Sequence, residues 1–165
     1  MAKKKNRIDK DKLPYRDNVS CVVFKNDKFL LVQLKGWPKE YWKFPQGGVH
    51  EGETEEDTAK RELKEELGTD KFKIVGKSIH TNLYDWDNRS IELAGCMWKG
   101  QNQRFCLVEF LGEEKDIKIN KKEIRNHKWV TGDVLPVHIS HDVVYFSNYK
   151  ASIDKVLKEF ENILG

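Results

Sequence analysis

The sequence predicts an α+β sandwich, and three observations carry that prediction. Its 165 residues fit one compact domain with a core of its own. Most apolar residues fall in short runs bounded by turn residues, which is strand patterning. Clear helical spacing is confined to two stretches, and strands with few helices in this order form a layered α+β domain.

Taken in order, Asn18 to Phe24 and Lys28 to Leu34 read as two strands, with Asn26-Asp27 as the turn of a hairpin. Gly36-Trp37-Pro38 breaks the pattern. Trp42 to Pro45 reads as a short extended piece, because Pro45 biases Phe44 away from helix. A glycine-bearing loop then leads into a helix over Glu55 to Leu67. Thr54 is its N-cap with Asp57 as the reciprocal partner, and Gly68 is its C-terminal stop. Phe72 to Thr81, Ile91 to Trp98, Phe105 to Leu111 and Lys128 to Val130 read as further strands. In the last element, Ile153, Val156, Leu157, Phe160 and Leu164 make a helical stripe that packs on a sheet.

Apolar residues make up 38% of the chain and charged residues 35%, the balance of a soluble domain with a highly charged surface. The net charge of +3 is too small to argue for nucleic acid by itself. The basic start, Met1 to Lys12, is expected to be a solvated, disordered tail spanning residues 1–14, with weak attraction to a polyanion as its functional reading; residues 15–165 form the domain. No apolar run approaches membrane-spanning length and no secretory signal opens the chain, so a cytoplasmic protein away from the membrane is expected. Cys21, Cys96 and Cys106 are scattered and read as small buried residues in a reducing compartment. His138 and His141 have no cysteine nearby and read as loop residues rather than a zinc site.

The informative segment is Gly47 to Thr69. On a helix, Glu62, Glu65 and Glu66 share one face, because positions three and four apart are neighbours, while Ala59, Leu63 and Leu67 form an adjacent apolar row. Each like-charged pair at that spacing costs a few tenths of a kcal/mol. Lys60 and Lys64 point elsewhere around the helix. A hard divalent cation resolves the repulsion, and Mg²⁺ takes oxygen ligands while keeping water and substrate phosphate in its shell. Gly47 and Gly48 permit close backbone approach, and Gly52 an unusual turn. The loop is not a Walker loop, since the Gly-Lys-Ser/Thr ending is absent.

This segment resembles the Nudix box, G-x5-E-x7-R-E-U-x-E-E-x-G-U, where U is bulky and apolar. Gly47, Glu53, Arg61, Glu62, Leu63, Glu65, Glu66 and Gly68 match, and only the last position departs, as Thr69. The resemblance implies a Nudix α/β/α sandwich with a mixed central sheet, a loop-helix-loop and a C-terminal helix. It implies Mg²⁺, with Mn²⁺ as a substitute, held by Glu62, Glu65, Glu66 and the Gly47 carbonyl. Glu53 and Arg61 are then a supporting ion pair that fixes the loop on the helix.

Flanking residues resemble the RNA 5′-pyrophosphohydrolases and the related dinucleoside polyphosphate hydrolases. Trp42-Lys43-Phe44-Pro45-Gln46-Gly47-Gly48 is similar to their W-x-F-P-Q-G-G, and Leu83-Tyr84-Asp85-Trp86 to their L-x-Y-D-F, with Asp87 where they carry proline. Gly100 to Phe105 is similar to their G-Q-x-Q-K-W, and Glu123 ahead of Lys128-Trp129-Val130 to their acidic residue before a Trp-Val strand. By that likeness Glu123 is a further metal ligand or general base. Arg16 touches phosphate, Phe146 stacks a base, and Tyr84 and Gln101 line the pocket. Lys43 contacts phosphate or is an ordinary surface lysine. Catalysis falls to Glu66, Glu123 and Glu65, with Glu66 or Glu123 as the base. The expected activity is pyrophosphate removal from triphosphorylated RNA; dinucleoside polyphosphate hydrolysis is the alternative, and a non-cutting nucleotide or RNA binder the rival class. No obligate protein partner is implied.

Overall fold

A computed structural model describes residues 9–165. The basic start therefore lies largely outside the described residues, but Lys10–Lys12 within it forms a 3-10 turn, with the Asp9 side chain accepting from the backbone N–H of Asp11. Six strands form one sheet: β1 (Tyr15–Lys25), β2 (Lys28–Leu34), β3 (Gln46–Gly48), β4 (Phe72–Asp85), β5 (Gly100–Phe110) and β6 (Ile124–Thr131). The path runs β4-β5-β1-β2-β6, with β3 beside β1. β1 and β5 are parallel and every other pairing is antiparallel, so the sheet is mixed.

β1 and β2 form the expected hairpin, with Asn26 in the left-handed conformation at its turn. The alternation along them sends Val19, Cys21, Val23, Leu30 and Val32 to one face and Val22, Phe24, Phe29 and Leu31 to the other. Helix α1 (Glu55–Leu67) covers the first face with Ala59, Leu63 and Leu67. Burying each leucine contributes about 1.5–3 kcal/mol relative to exposure. Helices α3 (Leu135–Ile139) and α4 (Tyr149–Glu159) cover the second face through Leu135, Ile139, Ile153 and Val156. These are the expected three layers. Cys21 and Cys106 sit buried opposite each other in the central strands, and both are free thiols.

Several boundaries differ from expectation. β1 begins at Tyr15 rather than Asn18, because pairing with β5 from Gly100 onward holds the polar residues Tyr15 to Asp17 in the ladder. β4 runs past Thr81 to Asp85 for the same reason. The Trp42 to Pro45 piece makes only one bridge, Lys43 to Val32, and strand pairing proper begins at Gln46.

Ile91 to Trp98 is not a strand. Asn88–Leu93 is a short helix, α2, capped by Asp87, whose side chain accepts from the Ser90 N–H at 2.8 Å. Only Ile91 of its apolar residues turns inward; Leu93 and Met97 are 73% and 58% exposed. Gly95 and Cys96, both at positive φ, then reverse the chain. The C-terminal stripe is also divided: the chain breaks at Phe160, and Glu161–Leu164 forms a separate turn of helix, α5. Among the described residues no helix is long and apolar enough to cross a membrane.

Candidate active site

The loop before α1 is built from the helix outward. Thr54 and Asp57 cap each other reciprocally, and Gly68 ends the helix in the left-handed conformation. Arg61 reaches back over the loop. Its Nε donates to Glu53 Oε2 at 2.7 Å, and its Nη2 donates to Glu53 Oε1 and to the Gly48 carbonyl, both at 2.9 Å. The paired guanidinium and the His50 N–H hold the Glu53 carboxyl far below its usual range, at about 2. A two-pronged bond of this kind fixes loop and helix as one body.

β3 brings Gly47 against the helix. A Cβ on Gly47 would collide with the Glu62 carboxyl group, so glycine is what lets that carboxyl lie along the backbone. Gly48 plays the same part for the Arg16 guanidinium, which would meet a Cβ there. Glu123 arrives from the turn before β6, anchored where its carbonyl accepts from the Lys35 N–H at 2.9 Å.

Together these segments form a cavity of about 380 Å³, whose walls include Gly47, Glu62, Glu65, Glu66 and Glu123 together with Arg16 and Lys43. Every box carboxylate proposed from sequence as a metal ligand, with Glu123 besides, therefore reaches one space. Lys43 is not a surface residue: it is 8% exposed, because the chain around it bridges to β2 and carries the side chain inward.

The electrostatics are those of dry, opposed charges. Glu66 is 5% exposed and its Oε2 has no hydrogen-bond partner. Desolvation pushes its carboxyl up to about 8; Lys43 pulls it down, while Glu62, Glu123 and Glu65 push it further up. Desolvation lowers Lys43 to about 8 in turn, against the attraction of Glu66. Glu62 is raised by burial, partly offset by Arg61, whose Nη1 it meets at 2.7 Å. Glu65 is half exposed and lies 3.5 Å from the same Nη1.

In this conformation no three acidic side chains converge to metal-holding distance among the described residues. The donor set nevertheless fits a hard divalent cation. It consists of oxygens alone, Glu66 carries an orphaned buried oxygen, and clustered like charges make bound positive charge favourable.

The remaining predicted residues divide. Arg16, Gln101 and Tyr84 lie side by side across β1, β5 and β4, since Arg16 pairs with Gln101 and Gln101 with Tyr84. Gln101 is buried with its Oε1 unpartnered, beside the cavity. Phe146 does not reach the site. It is 5% exposed within the second-face core, with Trp37, Tyr41, His141 and Tyr149 around it, and it borders a different cavity beside α4. His138 and His141 are tied locally, His138 to Lys128 and His141 to the carbonyl of His138. Asn18 and Gln46, which also line the cavity, were not singled out from sequence. Their signal was available: β1 places Arg16 and Asn18, then Val22 and Phe24, on one face, a strand that turns from apolar to polar at one end.

Comparison with known proteins gives this geometry a family. The family described as "NUDIX domain" matches residues 14–147. An RNA pyrophosphohydrolase of Wolbachia pipientis wMel is 34% identical over 160 residues, covering 94% of this chain and 93% of its own. One of Bartonella bacilliformis is 32% identical over 172 residues, covering 95% and 98%. Among solved structures, the E. coli dihydroneopterin triphosphate pyrophosphohydrolase superposes with a TM-score of 0.65 at 18% identity, covering 86% of this chain and 99% of that one. The C. elegans Ap4A hydrolase does so at 0.61 and 22%, covering 92% and 99%. These two likenesses concern the fold. The chain belongs to the Nudix family, among its pyrophosphohydrolases. It is an enzyme of phosphoanhydride hydrolysis, and its family uses divalent metal ions in general.

Proposed function

We propose that this chain removes pyrophosphate from the triphosphorylated 5′ end of RNA in a Mg²⁺-dependent reaction, with Mn²⁺ able to substitute. The observation that carries it is one cavity lined both by the carboxylates and by Arg16 and Lys43. A polyphosphate bound there meets metal-holding oxygens and cationic donors together. Relatives named RNA pyrophosphohydrolase that align over nearly the whole chain support RNA as the substrate.

Glu62, Glu65, Glu66 and Glu123, with the Gly47 carbonyl, would hold the metal. When bound, it lowers the pKa of water and offsets charge on the phosphate. The chain's own residues do the rest. Glu53 and Arg61 keep loop and helix in register. Arg16 and Lys43 hold phosphate oxygens in place, and Tyr84 and Gln101 extend the pocket wall. Glu66 or Glu123 accepts the proton of the attacking water, whose oxygen bonds to phosphorus as the bridging P–O bond breaks. Pyrophosphate leaves, and the RNA keeps one 5′ phosphate. Burial raises the Glu66 carboxyl in the metal-free protein, and a bound cation would favour its ionised, proton-accepting form. Clustered acids titrate as a set, so the two candidates share one profile. The same reading puts the reaction in the cytoplasm and requires no obligate protein partner.

The test is a side-by-side measurement of kcat/KM on triphosphorylated RNA and on diadenosine tetraphosphate, with Mg²⁺. Faster turnover of the RNA is expected. Preference for the dinucleotide would move the enzyme to the alternative substrate, and no cleavage of either would leave a binding module.

A further inference from the structure

At the cavity floor, three strands place three carboxamides together. Asn18 on β1 pairs with Gln103 on β5, and Gln46 on β3 pairs with Ser20 on β1. Gln103 is 2% exposed, and its Nε2 donates to Asn18 Oδ1 at 3.0 Å and to Gln46 Oε1 at 2.9 Å. Asn18 and Gln46 line the cavity, and Gln103 stands behind them. A carboxamide nitrogen has two donor hydrogens, and both of those on Gln103 are engaged. A carboxamide carries its oxygen and nitrogen on one planar carbon, about 120° apart, so an oxygen held by Gln103 turns the NH₂ group away from it. Asn18 and Gln46, both held in this way, line the cavity together with Arg16 and Lys43.

We propose that Gln103 is a positioning residue: by donating to both amide oxygens, it holds the NH₂ groups of Asn18 and Gln46 toward the cavity as neutral donors to the non-bridging oxygens of the bound polyphosphate. This rests on the phosphoanhydride reading above. Neutral donors have a use that further lysines would not. They bind phosphate without forming ion pairs with the carboxylates, which must stay available to the metal. Were the three amides reversed, two carbonyl oxygens would face a polyanion.

Gln103→Glu tests this, because a carboxylate accepts where the amide donates and so would draw both NH₂ groups inward. Loss of hydrogen bonds to a charged ligand should raise KM about tenfold or more, with kcat within about threefold. Gln46→Ala should raise KM in the wild type and leave it unchanged in the Gln103→Glu background, a dependence that a purely structural role would not produce. Unaltered KM in a folded, active Gln103→Glu enzyme overturns the proposal. Should that variant not fold, the wild-type protein decides. On addition of methylenediphosphonate with Mg²⁺, the side-chain NH₂ resonances of Asn18 and Gln46 should shift while those of Gln103 stay in place and exchange slowly. A probe that moves the NH₂ of Gln103, or moves neither of the other two, overturns the proposal. A wild type that cleaves no polyphosphate would instead fault the proposed function, and these resonances would still judge the amide network.

Discussion

Two cavities of similar size lie at opposite ends of the same sheet, and only one reads as a site. The one beside α1 measures about 380 Å³ and the one beside the β1–β2 turn about 320 Å³. The second is lined by Lys25, Lys28, Phe110, Glu114 and Trp129. Among the described residues, none lining it carries an orphaned buried atom, although Glu114 bonds His127, whose Nδ1 is unpartnered. Trp129 Nε1 donates to Glu114 at 2.8 Å, Lys25 donates to the Gly112 carbonyl, and Phe110 stacks on Trp129 with centroids 5.8 Å apart. The first contains an orphaned carboxylate oxygen, a buried lysine and an orphaned amide oxygen close by. Volume does not separate them. Unspent buried polarity does, because such groups cost stability unless a ligand meets them.

The sharpest way to break that comparison is Glu66→Gln. Turnover should fall by several orders of magnitude with the fold intact, as followed by single-turnover kinetics and circular dichroism. Wild-type turnover would remove Glu66 from the reaction. Next in size is Lys43→Met, which should lower kcat/KM about tenfold to a hundredfold through loss of a charged phosphate contact. The melting temperature of the metal-free protein should fall more at pH 8 than at pH 6, since removing one partner of a buried pair leaves Glu66 uncompensated where it ionises. Unchanged kcat/KM would assign Lys43 to the structure alone.

The third prediction concerns pH. The folded pKa of Glu66 is raised above its unfolded value, so its contribution is fully present below pH of about 4.5 and is lost as pH rises toward about 8. Metal-free protein should therefore melt lower at pH 8 than at pH 6, and saturating Mg²⁺ should narrow the gap by binding the folded state. Glu53 runs the other way. Its depressed pKa supports the fold above about pH 4.5, and that support fades as pH falls toward about 2. A flat melting profile from pH 6 to 8 without metal would contradict the burial of Glu66. The smallest effect on activity belongs to the other cavity. Trp129→Leu should cost about 0.5–1.5 kcal/mol of stability from the lost aromatic pair and leave kcat/KM within about twofold. A large kinetic effect would mean that the two ends of the sheet are not independent.

What was legible from sequence was local. The capping box at Thr54 and Asp57 and the stop at Gly68 lie within one helix, so residue spacing alone determines them, while the Glu53–Arg61 pair followed from the resemblance to the Nudix box. The hairpin at Asn26 is of the same kind. Ile91 to Trp98 reads as a strand because Ile91, Leu93 and Met97 look strand-like in isolation, while the Asp87 cap decides for a helix over Asn88–Leu93. Family likeness gives Phe146 to the substrate, yet Trp37 and Tyr41, about a hundred residues earlier in the chain, join its near neighbours His141 and Tyr149 around the ring, and no local spacing reveals that meeting.

The sequence by itself determined the acid-bearing helix and its glycine loop, because those depend on a helical period and on backbone freedom at single residues, and the class of chemistry followed from their resemblance to the Nudix box. Tertiary structure alone decided which charges face them. Lys43, Glu123 and the Asn18–Gln46–Gln103 amides come from separate strands and turns, and strand register sets their meeting. Burial then sets their electrostatics, since a lysine in water and a lysine beside a dry glutamate are the same letter in the chain.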